Sequence, residues 1–242
     1  MLEDLNIEIK GVTKTVLEYL RNRIVTGELL PGQRLNERQL TSDFGISRAP
    51  LREAFRLLEN ENLVVSRPRR GAYVTELTKG DFLQVYQVRE MIECFAIDLL
   101  KSRNIKHLPE ALSNPTLAVT PSPPLTSSPE EKLAYINLNA NFHVSLIQAT
   151  GNSWLLRFYQ TISATLTRCQ FMYAFTPGMS KRAAEDHQQL RDCFRVGDYE
   201  EAKRLMKIHI NHFLKVLLKK SDMGGHHPNK VLLRDNRDLW ES

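Results

Sequence analysis

The sequence has few cysteines, and they are not arranged as metal ligands or as a disulfide framework. Cys94, Cys169 and Cys193 are widely separated, and none belongs to a Cys-x-x-Cys pair. An odd number of isolated thiols fits a reducing compartment better than a disulfide-stabilised secreted domain. We therefore interpret the three cysteines as small buried hydrophobic residues.

Long apolar runs are also missing. No stretch approaches the ~20 consecutive apolar residues that cross a bilayer. Residues 1–10 carry acidic side chains where a signal peptide needs a basic start and an apolar core. We therefore expect a soluble, cytoplasmic protein that has no membrane partner.

The length and charge of the chain permit two domains and an anionic partner. With 242 residues, of which 42% are hydrophobic, the chain is long enough for a small and a larger domain, each with its own core. The formal net charge of +5 suits an anionic partner such as nucleic acid. Because solvated lysines alone can produce such a charge, the position of the positive residues must decide.

Residues 1–76 have the pattern of a winged helix-turn-helix. Apolar spacing predicts a helix over 13–25, and good N-caps at Asn36 and Ser47 predict two further helices, which end near Gly45 and Asn60. Two segments of strand composition, 63–66 and 72–75, follow on either side of the basic sequence Arg-Pro-Arg-Arg-Gly. Three helices and a basic hairpin predict a DNA-binding domain.

The third predicted helix carries two stripes of opposite character. A cationic stripe of Arg48, Arg52 and Arg56 repeats every four residues. An arginine at the start of a helix in the major groove can pair with O6 and N7 of guanine, for about 1 to 3 kcal/mol of discrimination. We predict this role for Arg48 and Arg52, although any one arginine could equally belong to a solvated face. The apolar stripe consists of Leu51, Ala54, Phe55 and Leu58.

Several neighbouring residues are candidates for contacts to the DNA backbone. The hydroxyl of Ser47 can bind a phosphate, and Arg38 can reach the backbone from the preceding helix. At the hairpin tip, Arg70 can approach phosphates or the minor groove, and Gly71 permits a close approach of the backbone.

Residues 35–74 resemble the GntR family of bacterial regulators. The family pattern has Glu-Arg-x-Leu in the second helix, Ser-Arg-x-Pro-(Val/Leu)-Arg-Glu-Ala in the third, and Arg-Gly in the wing. This sequence has Glu-Arg-Gln-Leu, Ser-Arg-Ala-Pro-Leu-Arg-Glu-Ala and Arg-Gly at the corresponding places. The resemblance implies DNA contacts by Arg38, Ser47, Arg48, Ala49, Arg52 and Gly71.

Residues 77–222 have the pattern of an all-helical sensing domain, so the expected fold class is mainly α. Helical spacing recurs over 79–103, 130–149, 153–175, 180–196 and 199–220, without a further strand pattern. Six prolines between positions 109 and 129 exclude a continuous helix over 108–128, where we expect an irregular, partly mobile loop. We expect a weakly ordered tail over 223–242.

Three predicted helices of this domain each direct a histidine inward. His143 shares an otherwise apolar face with Asn139, and His187 and His209 lie on the apolar faces of two later helices. Helical bundles build metal and ligand sites in this way. Taken singly, each histidine is better explained as a core residue with a hydrogen-bonded neighbour, and the set of three favours a site.

The same region resembles the FCD domain of the FadR subgroup of GntR regulators. The family motifs are Asp-x-x-Phe-His, Glu-x-His, a Gly-Asp turn and a terminal histidine. This chain has Asn139-Ala-Asn-Phe-His143, Glu185-Asp-His187, Gly197-Asp198 and His209. The resemblance implies a divalent metal, zinc or nickel, held by Asn139, His143, His187 and His209, with open positions for an acidic metabolite. Asn139 replaces the expected aspartate and is a weaker ligand, so that the imidazoles must provide more of the binding.

Arg89 matches an arginine of the family's first sensing helix. The resemblance implies that it binds the carboxylate of an effector. A salt bridge with Glu93, one turn later, is an equally good interpretation. The proline-rich loop stands where relatives carry short helices, which suggests the smaller, six-helix VanR-like type.

These features predict a homodimeric, non-enzymatic transcription regulator. In this hypothesis each subunit binds half of a palindromic double-stranded DNA operator, and a small carboxylate effector changes the arrangement of the two winged domains. Two alternatives stay open: a regulator for which the metal itself is the signal, and a metal-dependent hydrolase fused to a DNA-binding domain.

Overall fold

The computed structural model of the chain describes residues 2–105, 108–113, 123–124, 126–173, 175 and 178–222. Within these ranges the chain forms nine helices and three short strands, and all the strands lie before residue 75. A small three-stranded sheet follows the order β1-β3-β2 and is antiparallel throughout. The predicted fold class, a winged helix-turn-helix followed by an all-helical domain, is confirmed.

The described residues divide into two compact units. The first comprises the residues up to Thr78 together with Ser163–Arg168, and the second comprises Lys79–Ile162 and the residues from Cys169 onward. The domain boundaries expected at residues 76 and 222 stay a prediction.

The first unit contains the helix-turn-helix and its wing. Its elements are α1 (Leu2–Val25), β1 (Arg34–Leu35), α2 (Glu37–Phe44), α3 (Arg48–Asn60), β2 (Val64–Arg67) and β3 (Gly71–Val74).

The turn between α2 and α3 is built by local capping. Asn36 caps α2, as predicted, because its side-chain oxygen accepts hydrogen bonds from the backbone N–H groups of Arg38 and Gln39. Gly45 ends α2 with a φ of 63°, a left-handed conformation that glycine adopts without strain. Ser47 occupies the N-cap position of α3, but its side chain makes no capping hydrogen bond. Its hydroxyl therefore stays available for another partner.

The apolar face of α3 packs on α1. Leu51, Ala54 and Leu58 are fully buried against the side of α1 that carries Leu20 and Ile24. Complete burial of one leucine side chain contributes about 1.5 to 3 kcal/mol. Because this stripe is fixed in the core, the opposite stripe of α3 faces outward.

Two elements of the first unit differ from the sequence prediction. α1 begins at Leu2 rather than at residue 13. Its early apolar residues lie two positions apart rather than at helical spacing, so the pattern did not indicate a helix there. The composition of this segment nevertheless favours a helix. The strand β1 was not predicted, because two residues are too few for an alternating pattern.

The second unit is helical throughout its described residues. Its elements are α4 (Lys79–Ser102), α5 (Glu110–Ser113), α6 (Pro129–Ala149), α7 (Ser153–Tyr173), α8 (Met179–Val196) and α9 (Tyr199–Asp222). The helix α4 packs against α6 and α9, and α8 packs against α9, so that the inner faces of four helices meet.

The proline-rich segment is not irregular throughout. Residues 110–113 form the helix α5, because a single turn after Pro109 needs no long run without proline. Leu112 of this helix is fully buried. The segment ends at a capping box in which Ser128 and Glu131 bond each other's backbone N–H groups at the start of α6. The rest of the predicted loop and the predicted tail over 223–242 lie outside the described residues.

None of the helices in the described ranges has the length and apolar character needed to cross a membrane.

Candidate functional site

The start of α3 presents the predicted DNA-contacting residues to solvent. Ser47, Arg48 and Ala49 are exposed at its first turn, and Arg52 is exposed one turn later. Arg38 is exposed at the start of α2. These residues are therefore exposed, as contact with DNA requires. The contacts themselves stay a prediction.

The exposed arginines differ in how freely they can meet a phosphate or a base. Within the described residues, Arg48 makes no ion pair, whereas the Nε atom of Arg52 lies 3.1 Å from a carboxylate oxygen of Glu37. The Arg52 side chain is 64% exposed, so that solvent screens this pair and little free energy opposes an exchange of Glu37 for DNA. Arg56 pairs with Glu53 on its own helix.

The wing tip brings together basic groups that are distant in sequence. Arg70 is exposed between β2 and β3, and Gly71 has a φ of 91°, which disfavours any side chain there. A Cβ atom built on Gly71 would lie 3.7 Å from the Nε atom of Arg34 on β1. Arg34 is a basic residue that our sequence analysis missed, because its position depends on the unpredicted pairing of β1 with β3.

The three predicted histidines meet inside the second unit. His143 of α6, His187 of α8 and His209 of α9 are all buried. Candidate ligand atoms of the three rings lie within 4.8 Å of one another, and the Nε2 atoms of His143 and His187 are 3.2 Å apart. Residues separated by up to 66 positions therefore form one compact cluster, which we call the histidine cluster.

The fourth predicted ligand is less closely engaged. Asn139 is half-buried on α6, one turn before His143. Among the described residues no hydrogen bond joins Asn139 to a histidine ring. The prediction that it is a ligand stays untested.

Two carboxylates orient the rings. The Nδ1–H group of His143 donates to Glu93 over 2.8 Å, and that of His209 donates to Asp186 over 3.2 Å. A carboxylate can only accept, so each of these two rings carries its proton on Nδ1 and its lone pair on Nε2. Burial lowers the pKa of His143 to about 4, although the charge of Glu93 opposes this shift, and burial also lowers the pKa of His187 and His209. The rings are therefore neutral near pH 7.

Arg89, a buried residue of α4, contacts both Glu93 and the histidine cluster. Its Nε–H group donates to Glu93 over 2.7 Å, which is the salt bridge considered from the sequence. One Nη2–H group donates to Nε2 of His143 over 2.8 Å. Burial alone would raise the pKa of Glu93, but the charge of Arg89 and the hydrogen bonds from His143 and Arg89 outweigh it and hold that pKa at about 2. Tyr159 donates a further hydrogen bond to Glu93 over 3.1 Å.

One buried polar atom beside Arg89 is unsatisfied. The hydroxyl of Tyr86 is buried and has no hydrogen-bond partner among the described residues. Burial raises the pKa of Tyr86, so that the hydroxyl keeps its proton. A buried donor without a partner costs about 1 to 3 kcal/mol, which suggests that a bound group satisfies it.

The donor set fits a divalent metal ion under one condition. Zinc and nickel both accept three neutral imidazoles as ligands, and carboxylates that hydrogen-bond two of the rings, as Glu93 and Asp186 do, fix their orientation. The lone pair of His143, however, accepts a hydrogen bond from Arg89 in this structure. Binding of a metal by His143 therefore requires Arg89 to release that atom.

A separate groove lies on the surface between α4 and α9. It has a volume of about 380 Å³, and its lining includes Met91, Phe95 and Lys203 but none of the three histidines.

Several groups around the histidine cluster were not predicted from the sequence. Asp186 stands next to His187 in the sequence, so its position in that motif was an available signal. Tyr86 lies one turn before Arg89 and was equally accessible to helical spacing. Tyr159 had no such signal, because it comes from a different helix.

Comparison with known families agrees with both halves of the chain. Residues 12–74 match the gntR family of bacterial regulatory proteins, and residues 84–212 match the FCD domain. The second match alone covers more than half of the chain.

Similar proteins are transcription regulators. The HTH-type transcriptional regulator YdhC of Bacillus subtilis (strain 168) is 27% identical over 204 residues, which cover 80% of this chain and 85% of that protein. The gluconate operon transcriptional repressor of Bacillus licheniformis is 26% identical over 173 residues, 72% of this chain and 68% of that protein. They are not enzymes, which agrees with the prediction and leaves the hydrolase alternative without support.

Solved structures share the fold. E. coli McbR/YncC has a TM-score of 0.68 at 19% identity and covers 86% of this chain and 98% of its own. A GntR transcriptional regulator from Rhodococcus sp. RHA1 has a TM-score of 0.64 at 21% identity, over 86% of this chain and 97% of its own. With its winged helix-turn-helix and its FCD domain, the chain belongs to the gntR family of bacterial regulatory proteins and is a DNA-binding transcription regulator.

Proposed function

We propose that the affinity of this regulator for its operator is controlled by a small carboxylate effector bound at a divalent metal centre. His143, His187 and His209 would hold the metal, zinc or nickel, with Asn139 as a weak fourth ligand. The observation that carries the proposal is the convergence of three buried, neutral imidazoles whose candidate ligand atoms lie within 4.8 Å of one another. When bound, the metal would supply a positive centre that attracts an acid.

Charge favours an anionic effector. The salt bridge of Arg89 with Glu93 is neutral as a pair, and the imidazole ligands carry no charge. A divalent ion held by neutral ligands leaves two uncompensated positive charges in a buried site, which is costly. A carboxylate reduces this charge, and Arg89 can bind it through the planar guanidinium that now reaches His143.

The proposed DNA complex contains two copies of the chain on a palindromic operator. Arg48 and Arg52 would contact guanine edges, while Arg38 and Ser47 would contact phosphates beside the wing residues Arg70 and Gly71. In this assignment residues 1–76 form the DNA-binding domain and residues 77–222 the sensing domain. The regulator would act in the cytoplasm, where its operator is found.

Metal content tests the centre directly. We expect protein purified without a histidine tag or chelator to hold about one divalent ion per chain, measured by elemental analysis. The variant His143→Ala should lose that ion. His212→Ala is the matched control, because His212 is exposed and lies three residues after His209 on the same helix. Equal metal content in the wild type and His143→Ala would contradict the centre.

Measurements of operator affinity distinguish an acid effector from the metal ion itself as the signal. We expect acids to change the operator affinity of the metal-loaded protein by about 5- to 150-fold, the usual range of coupling between sites. An affinity that responds to zinc but ignores every acid in a panel would instead identify the metal as the signal.

A further inference from the structure

Arg191 is a buried cation without an acidic partner. It lies on α8, one turn after His187, and only 5% of the residue is exposed. Its Nε–H group donates to the backbone oxygen of Ala111 on α5 over 3.0 Å. Its Nη1 atom is buried and has no hydrogen-bond partner in the described part of the chain.

The other buried arginine of this site is satisfied in a different way. Arg89 is paired with Glu93 at 2.7 Å, whereas no carboxylate of the described residues lies within 4.0 Å of the Arg191 guanidinium. Burial lowers the pKa of Arg191, and no neighbouring acid raises it again. A buried charge that is unpaired costs considerable free energy, so its presence requires a compensating group.

Phe142 places this cation beside the histidine cluster. The Cζ atom of Arg191 lies 5.0 Å from the centroid of the Phe142 ring, which compensates part of the charge. The same ring stacks on His187, with centroids 4.3 Å apart and planes 15° from parallel. One aromatic side chain therefore contacts both a proposed metal ligand and the unpaired guanidinium.

We propose that Arg191 binds a second acidic group of the effector, which narrows the effector class from carboxylates to dicarboxylates. One acidic group lies at the histidine cluster with Arg89, and the other lies against the free Nη1–H group of Arg191. This inference rests on the proposed function, because it assumes that the effector binds at the histidine cluster.

A purely structural role does not explain the choice of arginine. The single hydrogen bond to Ala111 needs one neutral donor, which glutamine also provides. The remaining positive charge destabilises the ligand-free protein and gains a partner only when an anion binds. Arg191→Gln is accordingly the variant that separates the two roles, and Arg191→Lys keeps the charge.

The test measures acid binding by calorimetry on the full-length, zinc-loaded protein at constant ionic strength. The probes are dicarboxylates of three to six carbons, each matched with a monocarboxylate of equal length, for example succinate with butyrate. We expect at least one dicarboxylate to bind the wild type at least tenfold more tightly than it binds Arg191→Gln. Arg191→Lys should recover part of the loss, and monocarboxylates should bind all three proteins alike. The melting temperature of ligand-free Arg191→Gln should equal or exceed that of the wild type.

Two results would overturn the assignment of Arg191. The first is a panel in which no dicarboxylate distinguishes the wild type from Arg191→Gln. The second is a ligand-free melting temperature for Arg191→Gln that falls as far as that of Leu190→Ala, a core deletion at the adjacent, fully buried residue. His143→Ala separates these failures from failure of the proposed function. If acids bind the wild type and Arg191→Gln equally but do not bind His143→Ala, the histidine cluster is the effector site and Arg191 is not part of it.

Discussion

The arginines of α3 and the arginine at position 89 of α4 have the same chemistry but opposite surroundings. Arg48 and Arg52 point into solvent, where a guanidinium costs little and can exchange water for a phosphate or a base. Arg89 is 1% exposed, and its guanidinium donates hydrogen bonds to Glu93 and to the ring of His143, which compensate the loss of water. The exposed arginines suit the DNA contacts predicted for α3, and the buried arginine suits the small acidic effector that we propose.

The surface of α3 and the interior of the second unit also differ in the kind of observation that indicates a site. At the surface of α3 the site is indicated by an arrangement of charges that any solvated face can have. In the second unit it is indicated by a set of polar groups whose burial is costly without partners. Among the described residues, the buried Tyr86 hydroxyl and the Nη1 atom of Arg191 are atoms of this kind.

The largest expected effect comes from breaking the buried region. Glu93→Gln removes the carboxylate that Arg89, His143 and Tyr159 share. Because it leaves a buried cation unpaired, we expect the free energy of unfolding in urea to fall by about 3 to 5 kcal/mol.

A matched control for this change exists on the surface. Glu53→Gln removes an equally short ion pair with Arg56, and there we expect no measurable change because solvent screens the pair. Similar losses of stability in the two variants would contradict the distinction between the two regions.

The smallest expected effect tests the wing. Arg34→Ala should weaken binding to all DNA sequences alike, since the Arg34 side chain lies beside Gly71 of the wing, where we expect contact with the DNA backbone. If it contacts one phosphate, the slope of log affinity against log salt should become shallower by about 0.9. Arg204→Ala, an exposed arginine of α9, is the control that should leave the slope unchanged. A change confined to one DNA sequence would mean that Arg34 contacts a base.

The two regions also differ in how much of them the sequence could predict. The DNA-binding surface lies within one short segment, and helical spacing there separates the buried Leu51 and Leu58 from the exposed Arg48 and Arg52. The histidines were predictable because each lies on the apolar face of a long helix. Their carboxylate partner Glu93 was considered only as a partner of Arg89, since its contact with His143 depends on how α4 packs against α6.

The elements that could not be predicted from the sequence are those without a periodic pattern. β1 has only two residues, and α5 has four and lies among prolines. Arg34 and Arg191 were missed for this reason: Arg34 is placed by β1, and Arg191 bonds a backbone oxygen of α5. Their functional meaning depends on tertiary neighbours rather than on spacing along one helix.

The most direct test of the account is the operator affinity of Arg48→Ala. The operator is first selected from random duplex DNA with the wild-type protein, and affinities for it and for an unrelated duplex are then measured at equal salt. Removal of a bidentate contact to guanine should cost about 1 to 3 kcal/mol, which is a 5- to 150-fold loss for the operator alone. Arg195→Ala on α8 is the control, because Arg195 is equally exposed but lies outside the first unit. Unchanged operator affinity in Arg48→Ala would contradict the assignment of α3 as the helix that enters the DNA groove.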